Sequence, residues 1–333
     1  MDLLISGDPR FDRHLARLWE RDPLQYPRYS RRELEAARLY AARSSFEDRS
    51  ALVLLGGEPV AGILLTVETV ADGGTVLSAY GRPIHFLHAA ERDAAEVANA
   101  CRLLNRHFTQ VYEESAADSY AYRDHLAGGV LSPFAQWLLR EAHGRPEQRF
   151  AQILDLSRSV AQLLEGSSKS NRRYYRKAAA MLKMEVIEGE AATDEHIEAF
   201  RSMHTAFRGR QVRSAAAWHA ILEAVRAGEG FFVFGFAGGT LAACDYFAGT
   251  GRTCYSAIGA LAPGVAERHW GHATVWRGVF HARQLGCVYF DVGERLYAGM
   301  RPAPSDKYLA ISDFKAGFGG AVVPRLDIRA GAA

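Results

Sequence analysis

The stretch LVLLGGEPVAGILLTVETVADGGTVLSAYG (residues 52–81) returns in outline as FVFGFAGGTLAACDYFAGTGRTCYSAIG (residues 232–259). Each stretch reads as an apolar strand, a pair of glycines, a second apolar strand, a turn that contains glycine, and a third strand. The paired glycines, at 56–57 and 238–239, supply the positive φ angles that a tight hairpin needs. The sequence therefore predicts a three-stranded meander in each half of the chain.

The elements on either side of the two meanders also correspond. Each meander follows a short strand and two helical stretches, and each precedes a longer helix, Ala89 to Phe108 or Ala273 to Leu285. A further strand, Cys287 to Val292, follows the second long helix. Meanders of this kind also arise by chance, but the shared order β, α, α, β, β, β, α, β favours a repeat. We therefore predict an α/β protein with two like domains, residues 1–148 and 149–333.

Composition sets broad limits on the class of protein. The 333 residues exceed a usual single core, and 48% hydrophobic with 23% charged residues is ordinary for a globular protein. The amino terminus has no run typical of a signal peptide, and no run of about 18 apolar residues occurs elsewhere. We expect a soluble, cytoplasmic protein without a membrane span. No CxxC pair or zinc-ligand spacing is present, so we expect no metal site and four buried thiols, at Cys101, Cys244, Cys254 and Cys287.

A basic stretch without acidic residues, SSKSNRRYYRKAAAMLK (residues 167–183), lies between the two halves. Ser168 or Ser170 can cap a helix that places arginines on neighbouring turns, interleaved with tyrosines. Arginine binds phosphate with two parallel bonds and tyrosine stacks on bases, so the helix could hold a nucleotide, a CoA diphosphate or the end of an RNA. A solvated basic face is the alternative. The candidate substrate-binding residues of this helix are Lys169, Arg172, Arg173, Tyr175 and Arg176.

The second half carries a set of motifs in a recognisable order. ILDLSRSV (residues 153–160) and the basic stretch are followed far downstream by FDVGE (residues 290–294) and FKAGFGG (residues 314–320). In this the chain resembles the FemAB-like proteins of the GNAT acyltransferase superfamily. The resemblance implies two tandem GNAT-like domains, each a mixed central sheet flanked by helices. It also implies transfer of an acyl group to an amine, from an aminoacyl-tRNA in some members and from an acyl-CoA in others.

The resemblance also points to residues for the donor. It assigns Lys315 to the carbonyl oxyanion and the donor phosphates, with Lys307 in the preceding loop as a second cation. The usual acetyl-CoA pyrophosphate loop is replaced by ERHWGHAT (residues 267–274), in which Arg268 and Gly271 would form an incomplete phosphate cradle. The identity of the donor therefore stays open at this point.

Several polar residues are candidates for the chemistry itself. Asp291 closes a strand and Glu294 follows Gly293, so both lie at the carboxyl end of the strand, where open α/β sheets bind ligands. Either could orient the amine or accept its proton. A loop-capping aspartate is the alternative. Asp245 is unusual in an apolar strand, because a buried carboxylate must be paired or perturbed. The remaining candidates are Tyr255 for catalysis and His204, Arg295, Tyr297 and Arg301 for substrate binding, the last three in or beside a long Pro- and Gly-rich loop.

No nucleophilic serine or cysteine arrangement is recognisable, which favours direct aminolysis over a covalent enzyme intermediate. The sequence favours a FemAB-like N-acyltransferase that moves an aminoacyl group from aminoacyl-tRNA to an amine of a small molecule or peptide, without a tightly bound cofactor. An acyl-CoA donor, a non-catalytic binding protein and a nucleic-acid binding module are the alternatives. The first domain lacks a copy of FKAGFGG, so whether it has a site of its own stays open, as do the acceptor and the oligomeric state.

Overall fold

The computed structural model describes residues 1–40, 44–126, 129–264 and 269–331. These residues belong to two compact units. Unit 1 comprises Met1–Gln25, Ala37–Arg149 and Pro324–Ala333, and unit 2 comprises Tyr26–Ala36 and Phe150–Val323. The division predicted from the sequence places the boundary one residue earlier, at 148/149. It also differs in two segments, because residues 26–36 belong to unit 2 and residues 324–333 to unit 1.

The elements follow the chain from an N-terminal strand to a C-terminal one. The first part contains β1 (Asp2–Ile5), α1 (Phe11–Arg21), α2 (Arg31–Tyr40), β2 (Ser45–Asp48), β3 (Ala51–Leu55), β4 (Glu58–Leu64), β5 (Thr66–Thr69), β6 (Thr75–Ser78), β7 (His85–His88), α3 (Ala94–Glu114), β8 (Ser119–Asp124) and α4 (Pro133–Arg140). The second part contains β9 (Arg145–Asp155), α5 (Val160–Gly166), α6 (Lys169–Ala179), β10 (Lys183–Glu188), α7 (Asp194–Arg208), α8 (Ala215–Arg226), β11 (Gly230–Ala237), β12 (Thr240–Thr250), β13 (Thr253–Leu261), α9 (Trp270–Gln284), β14 (Tyr289–Arg295), α10 (Asp306–Ala316) and β15 (Ala321–Gly331).

Both predicted glycine hairpins are present. The φ angles are 60° and 82° at Gly56 and Gly57, between β3 and β4, and 57° and 82° at Gly238 and Gly239, between β11 and β12. Positive φ at both central residues is the requirement of a type I′ turn, whose twist matches that of the flanking strands. The repeat that the sequence indicated thus has the same local cause in each unit.

In unit 1 the first meander is divided between two groups of strands. One group has the order β1-β3-β4-β7 and the other the order β15-β8-β6-β5-β2. The second strand of this meander, which the apolar run at residues 60–67 predicts as one strand, is split, because Leu64 pairs with His85 whereas Thr66 pairs with Ser78. The Thr66 hydroxyl donates to the Ser78 carbonyl at 3.0 Å, which satisfies a buried polar group at the division.

In unit 2 the strand order is β10-β11-β12-β13-β14-β9, with antiparallel neighbours except for the parallel pair β13 and β14. The apolar run of β11 follows from burial on both faces of this sheet. Phe232 and Phe234 pack in a cluster with α7 and α8, while Phe231 and Val233 pack in a cluster with α9. Each buried phenylalanine of this kind contributes on the order of 1.5–3 kcal/mol to folding.

The parallel strands β13 and β14 separate part-way along their length. Their last paired residues are Tyr255 and Asp291. Beyond this point β13 continues beside β12, and β14 continues beside β9 with a bulge between Asp291 and Gly293. A gap therefore opens between the carboxyl ends of two neighbouring parallel strands, which is where ligands bind in open α/β sheets.

Candidate active site

Asp291 lies where the two strands of unit 2 separate. Its side chain is fully buried, and its Oδ1 accepts a hydrogen bond from the backbone N–H of Gly293 at 2.7 Å. Its Oδ2 accepts a hydrogen bond from the Tyr26 hydroxyl, also at 2.7 Å. A carboxylate in such a place is tolerated only when its oxygens are hydrogen-bonded. Both oxygens are thus held, and the carboxylate has a fixed orientation at the start of the gap.

Lys315 of α10 contacts the same turn of β14. Its Nζ donates to the Glu294 carbonyl at 3.3 Å, and a Cβ added at Gly293 would lie 2.6 Å from this Nζ. Gly293 also has a φ of 116°, which other residues rarely adopt. Burial lowers the pKa of Lys315, while the carboxylates of Asp291 and Glu294 act in the opposite direction. The structure thus brings together three residues that the sequence predicted for catalysis.

Aromatic and basic side chains from a distant part of the sequence complete this group. The ring of Tyr255 lies 6.1 Å from that of Tyr26, and the Arg28 guanidinium lies 5.5 Å from the Tyr255 ring centroid. Tyr26 is 265 positions from its partner Asp291. Tyr26 and Arg28 were not predicted for this site, because no periodicity or motif marks the connection between α1 and α2.

Two further hydrogen bonds attach the segment Tyr26–Ala36 to the rest of unit 2. The Ser30 hydroxyl donates to Glu229 at 2.7 Å, and the Tyr246 hydroxyl donates to Glu33 at 2.7 Å. Burial raises the pKa of Glu229, although the Ser30 bond opposes this. The position of Tyr26 beside Asp291 is therefore fixed by buried polar contacts on the same segment.

The motifs of the second half meet in space. A Cβ at Gly319 would collide with the Gly166 carbonyl at the end of α5, and one at Gly320 would collide with the Ile153 carbonyl of β9. The Gln152 side-chain amide donates to the Gly319 carbonyl. The glycines of FKAGFGG are thus required by close backbone approach to the ILDL strand and to the start of the basic stretch, and this packing fixes the end of α10 that carries Lys315.

The basic stretch forms α6, with Ser168 as its N-cap accepting from the Asn171 N–H at 3.1 Å. Arg172 and Tyr175 have structural contacts: Arg172 donates to the Glu165 carbonyl at 2.8 Å, and Tyr175 packs against aromatic rings of α9. The exposed cations of the helix follow the spacing i, i+4, i+7, i+8 and so share one face. They are Lys169, Arg173, Arg176 and Lys177.

The beginning of α9 lies beside this basic helix. Its N-cap, His269, has a φ of 57° and its side chain makes no capping hydrogen bond. The ring of Tyr174 on α6 stacks on His269 at 3.6 Å, and the Arg173 guanidinium lies 5.1 Å from the Tyr174 ring centroid. Gly271, in the first turn, has no atom nearer than 3.9 Å to an added Cβ. Free N–H groups at a helix start bind anions. Arg268, also predicted for this cradle, lies outside the described residues.

Part of this site lies in a segment that matches a known protein family. Residues 167–300 match the family model described as the acetyltransferase (GNAT) domain. The chain therefore carries a segment that matches the GNAT domain. The matched segment includes α6, the start of α9 and the turn at Asp291, and it ends before Lys315. A search of the curated proteins found no match.

Solved structures extend the likeness beyond the GNAT domain to the whole chain. FemX is similar with a TM-score of 0.74 at 12% identity, covering 98% of this chain and 97% of that one. The C-terminal domain of a putative lysylphosphatidylglycerol synthetase from Agrobacterium fabrum has a TM-score of 0.61 at 13% identity, over 96% and 91%. A tandem GNAT protein from the clavulanic acid biosynthesis pathway has a TM-score of 0.51 at 12% identity, over 100% and 99%. The predicted FemAB-like tandem GNAT fold is confirmed, and the acyltransferase class is confirmed at the level of the domain family.

Two other predicted residues of the GNAT domain do not join the group around Lys315. Asp245 pairs with Gly259 on β13, four residues beyond Tyr255 and so about 13 Å further along that strand. Burial raises the pKa of Asp245 to about 7, although a hydrogen bond from Thr274 of α9 acts to lower it. His204 is buried, and its ring centroid lies 5.3 Å from that of Trp218. Burial is the main cause, and the charge of Arg213 the second, that lowers the pKa of His204 to about 4. It is therefore a neutral core histidine at neutral pH.

The predicted loop residues near β14 differ in exposure. Arg295 is buried and donates to the Ser312 hydroxyl at 2.9 Å, so it attaches α10 to β14 and is not exposed for an acceptor. The Tyr297 ring lies 5.4 Å from that of Phe150 and is 40% exposed. Arg301 in the loop and Lys307 in the first turn of α10 are exposed. Tyr297, Arg301 and Lys307 therefore retain a surface that a substrate could contact.

The described residues contain neither a metal-binding group of side chains nor a helix suited to a membrane span. No three His, Cys, Asp or Glu side chains there could jointly hold a metal ion. No helix among those residues is both long and apolar enough to cross a bilayer. The four cysteines are free and buried, as predicted, and burial raises the pKa of Cys101 to about 12 and that of Cys287 to about 11. Their thiols are therefore protonated at neutral pH and suit packing rather than nucleophilic catalysis.

Proposed function

We propose that the GNAT domain acylates an amine by direct aminolysis, with an aminoacyl-tRNA as donor and a small molecule or peptide as acceptor. The observation that carries this proposal is the position of Lys315 beside Asp291 at the gap between β13 and β14. A half-buried cation at such a gap can stabilise an oxyanion that forms on the donor carbonyl. The neighbours of Lys315 hold its ammonium group in place, so little reorganisation is needed when negative charge develops on the carbonyl oxygen.

The reaction balances without a covalent enzyme intermediate. The neutral amine attacks the ester carbonyl, a C–N bond forms, and the C–O bond to the ribose breaks. The proton lost by the amine ends on the ribose hydroxyl that leaves. Lys315 suits both the oxyanion and the leaving oxygen, because burial lowers its pKa and eases proton release. Asp291 would keep the lysine charged before attack and is held away from solvent by Tyr26.

The exposed cations of α6 favour a polynucleotide donor. Lys169 and Lys177 are eight residues apart, which is about 12 Å along a helix. A nucleic-acid strand carries a charge about every 3.4 Å of axis length, so the row matches several successive phosphates rather than one diphosphate. Tyr174 and His269, stacked at 3.6 Å beside the row, add an aromatic surface on which a base can stack.

An acyl-CoA donor is the second candidate, and the start of α9 favours it. Its N–H groups are not capped by the His269 side chain, and the space at Gly271 is open, as a bound diphosphate requires. The incomplete loop around Gly271 and the length of the basic row make this the weaker of the two candidates. A protein that binds a donor without transferring its acyl group is the non-catalytic alternative.

The donor can be identified by ligand-induced thermal stabilisation, because a ligand that binds only the folded state raises Tm. The purified chain is melted with acetyl-CoA, free CoA, uncharged tRNA and tRNA charged with single amino acids. We expect a shift with charged tRNA, followed by transfer of the labelled amino acid to an amine from an acceptor panel. A rise in Tm with acetyl-CoA alone would indicate an acyl-CoA donor in place of aminoacyl-tRNA. Binding of charged tRNA without transfer to any acceptor would favour a non-catalytic binding protein. No shift with either class would overturn the proposal.

A further inference from the structure

Unit 1 contains its own gap between parallel strands. Ile84 forms a parallel bridge with Tyr122 of β8, and the following residues of β7 pair with β4 instead. This is the relation that Tyr255 and Asp291 have in unit 2. A cavity of about 400 Å³ lies in unit 1 beyond this bridge. Its walls come from the ends of β7 and β8, the start of α3, the start of α4 and the residues that follow α1.

Among the described residues, the walls of this cavity contain no counterpart of the unit 2 lysine and carry buried carboxylates instead. Asp22 accepts hydrogen bonds from the backbone N–H groups of Leu24 and Gln25, at 3.0 and 2.9 Å. Asp124 accepts from the N–H groups of Leu126 and Ser132, at 2.7 and 2.9 Å. Both side chains are at most 5% exposed and line the cavity. Backbone N–H groups orient these carboxylates but do not neutralise them.

Among the other ionisable groups of the wall, His88 favours the ionised form of Asp22, whereas both arginines form ion pairs with carboxylates outside the wall. Arg92 forms an ion pair with Glu96 at 3.4 Å, and Arg123 forms a two-pronged ion pair with Asp327 at 2.6 and 2.8 Å. His85 is buried, and desolvation lowers its pKa to about 3, so it is neutral at neutral pH. Burial raises the pKa of Asp22, which means that its charged form lacks the solvation that it has in water. A cation in the cavity would restore favourable electrostatics at this position.

The start of α3, which borders the cavity, does not favour a phosphate-bearing ligand. The Asp93 side chain caps this helix by accepting from the Glu96 N–H at 2.7 Å, and Glu96 itself lies in the first turn. Carboxylates therefore occupy the position at which a phosphate would bind to a helix start. The start of α9 has no such side chain at its N-cap. The cavity of unit 1 is thus adapted to a ligand of the opposite charge.

We propose that this cavity is a second ligand site, which binds an organic ammonium with a short apolar chain. The rest of its wall is largely apolar and includes Phe86, Val97 and Leu131. Its volume is within the range of small-molecule pockets and leaves room for a chain of several carbons next to the ammonium group. Phe86 and Tyr122 supply aromatic surface for a cation. This site is independent of the proposed transfer reaction and does not need the GNAT domain to be active.

The test is calorimetric titration of the full chain with three probes of equal length, hexylamine, hexan-1-ol and hexanoate. We expect hexylamine to bind at least about tenfold more tightly than either of the others, since only it carries a positive charge. Equal binding of all three probes, preferential binding of hexanoate, or no binding of hexylamine would each overturn the proposal.

The location is tested by filling the cavity. Leu131→Trp should reduce hexylamine affinity at least about tenfold, whereas Leu3→Trp, at an exposed position outside the cavity, should leave it unchanged. Gln136→Trp, on α4 and also in the wall, is the second variant if Leu131→Trp does not give a cooperative thermal transition. Hexylamine affinity that is retained in a folded filled variant would place the binding elsewhere and refute the site.

Discussion

Replacement of Asp245 by asparagine should make the protein more stable, and by an amount that grows with pH. Asp245 is 6% exposed on β12, and burial raises its pKa from 3.8 to about 7. Because the folded pKa is above the unfolded one, the stability associated with the protonated form is complete below about pH 4 and is lost as pH rises to about 7. Asparagine keeps the shape and cannot ionise, so it avoids this loss.

The size of the effect follows from the two pKa values. A rise from 3.8 to about 7 corresponds to about 4 kcal/mol at pH 8, where the carboxylate is ionised in both states. At pH 5 the same relation gives about 1.5 kcal/mol. The advantage of Asp245→Asn over the parent should therefore increase by about 2.5 kcal/mol between pH 5 and pH 8.

Urea unfolding of both proteins at pH 5, 6, 7 and 8 measures this difference, with the free energy of unfolding taken from linear extrapolation. Asp72→Asn, at an exposed carboxylate in the turn between β5 and β6, controls for the substitution itself and should change stability by less than about 0.5 kcal/mol. A difference for Asp245→Asn that stays constant with pH, or that shrinks as pH rises, would refute the reasoning.

Three further substitutions test the site around Asp291. Gly293→Ala should displace the Lys315 ammonium, whose Nζ would lie 2.6 Å from the new Cβ, and lower the transfer rate about 10²- to 10³-fold in single-turnover assays. Tyr26→Phe removes the hydroxyl that donates to the buried Asp291 and should destabilise the protein by about 1–3 kcal/mol in urea unfolding. Arg173→Gln should weaken tRNA binding and reduce the slope of log affinity against log salt by about 0.7, as measured by filter binding.

Each of these substitutions has a matched control. Gly299→Ala, where an added Cβ meets nothing within 4 Å, should leave the transfer rate unchanged. Tyr308→Phe, at a side chain that is 58% exposed, should leave stability unchanged. Arg102→Gln, at an exposed position of unit 1, should leave the salt slope unchanged. A substitution that gives the same result as its control would contradict the role assigned to that residue.

The sequence predicted the features of the fold that have a local cause. The two glycine hairpins follow from turn chemistry, and α6 follows from the Ser168 cap and the spacing of its side chains. It could not predict that residues 60–67 divide between β4 and β5, because no glycine or proline marks the break and the cause is pairing with β7 and β6. Strand pairing between distant segments is a tertiary effect that single-sequence patterns do not carry.

The candidate site likewise contains some residues that the sequence marked and others that only the fold brings to it. Asp291, Glu294 and Lys315 were found because motifs mark them, and the structure brings them together. Tyr26 was missed because it lies 265 positions from its hydrogen-bond partner. Arg172 was predicted for substrate because its charge is visible in the sequence, whereas its bonds to the carbonyls at the end of α5 are visible only in the fold.

Buried polar groups explain most of the remaining differences. Glu33 follows two arginines in the sequence, yet its side chain accepts a hydrogen bond from the buried Tyr246 hydroxyl. His204, read as a substrate contact, is a neutral core residue beside Trp218. In both cases burial decides the role of a polar side chain, and burial is set by tertiary packing.

The central claim is that Lys315, held beside Asp291 at the gap between two parallel strands, acts on the acyl carbonyl. Single-turnover transfer by Lys315→Met, with donor saturating and with a melting temperature matched to the parent, tests this claim most directly. We predict that the rate falls about 10²- to 10³-fold while donor affinity changes little, because the lost interaction is made chiefly in the transition state. A folded Lys315→Met protein that transfers the acyl group at the parental rate would contradict the account.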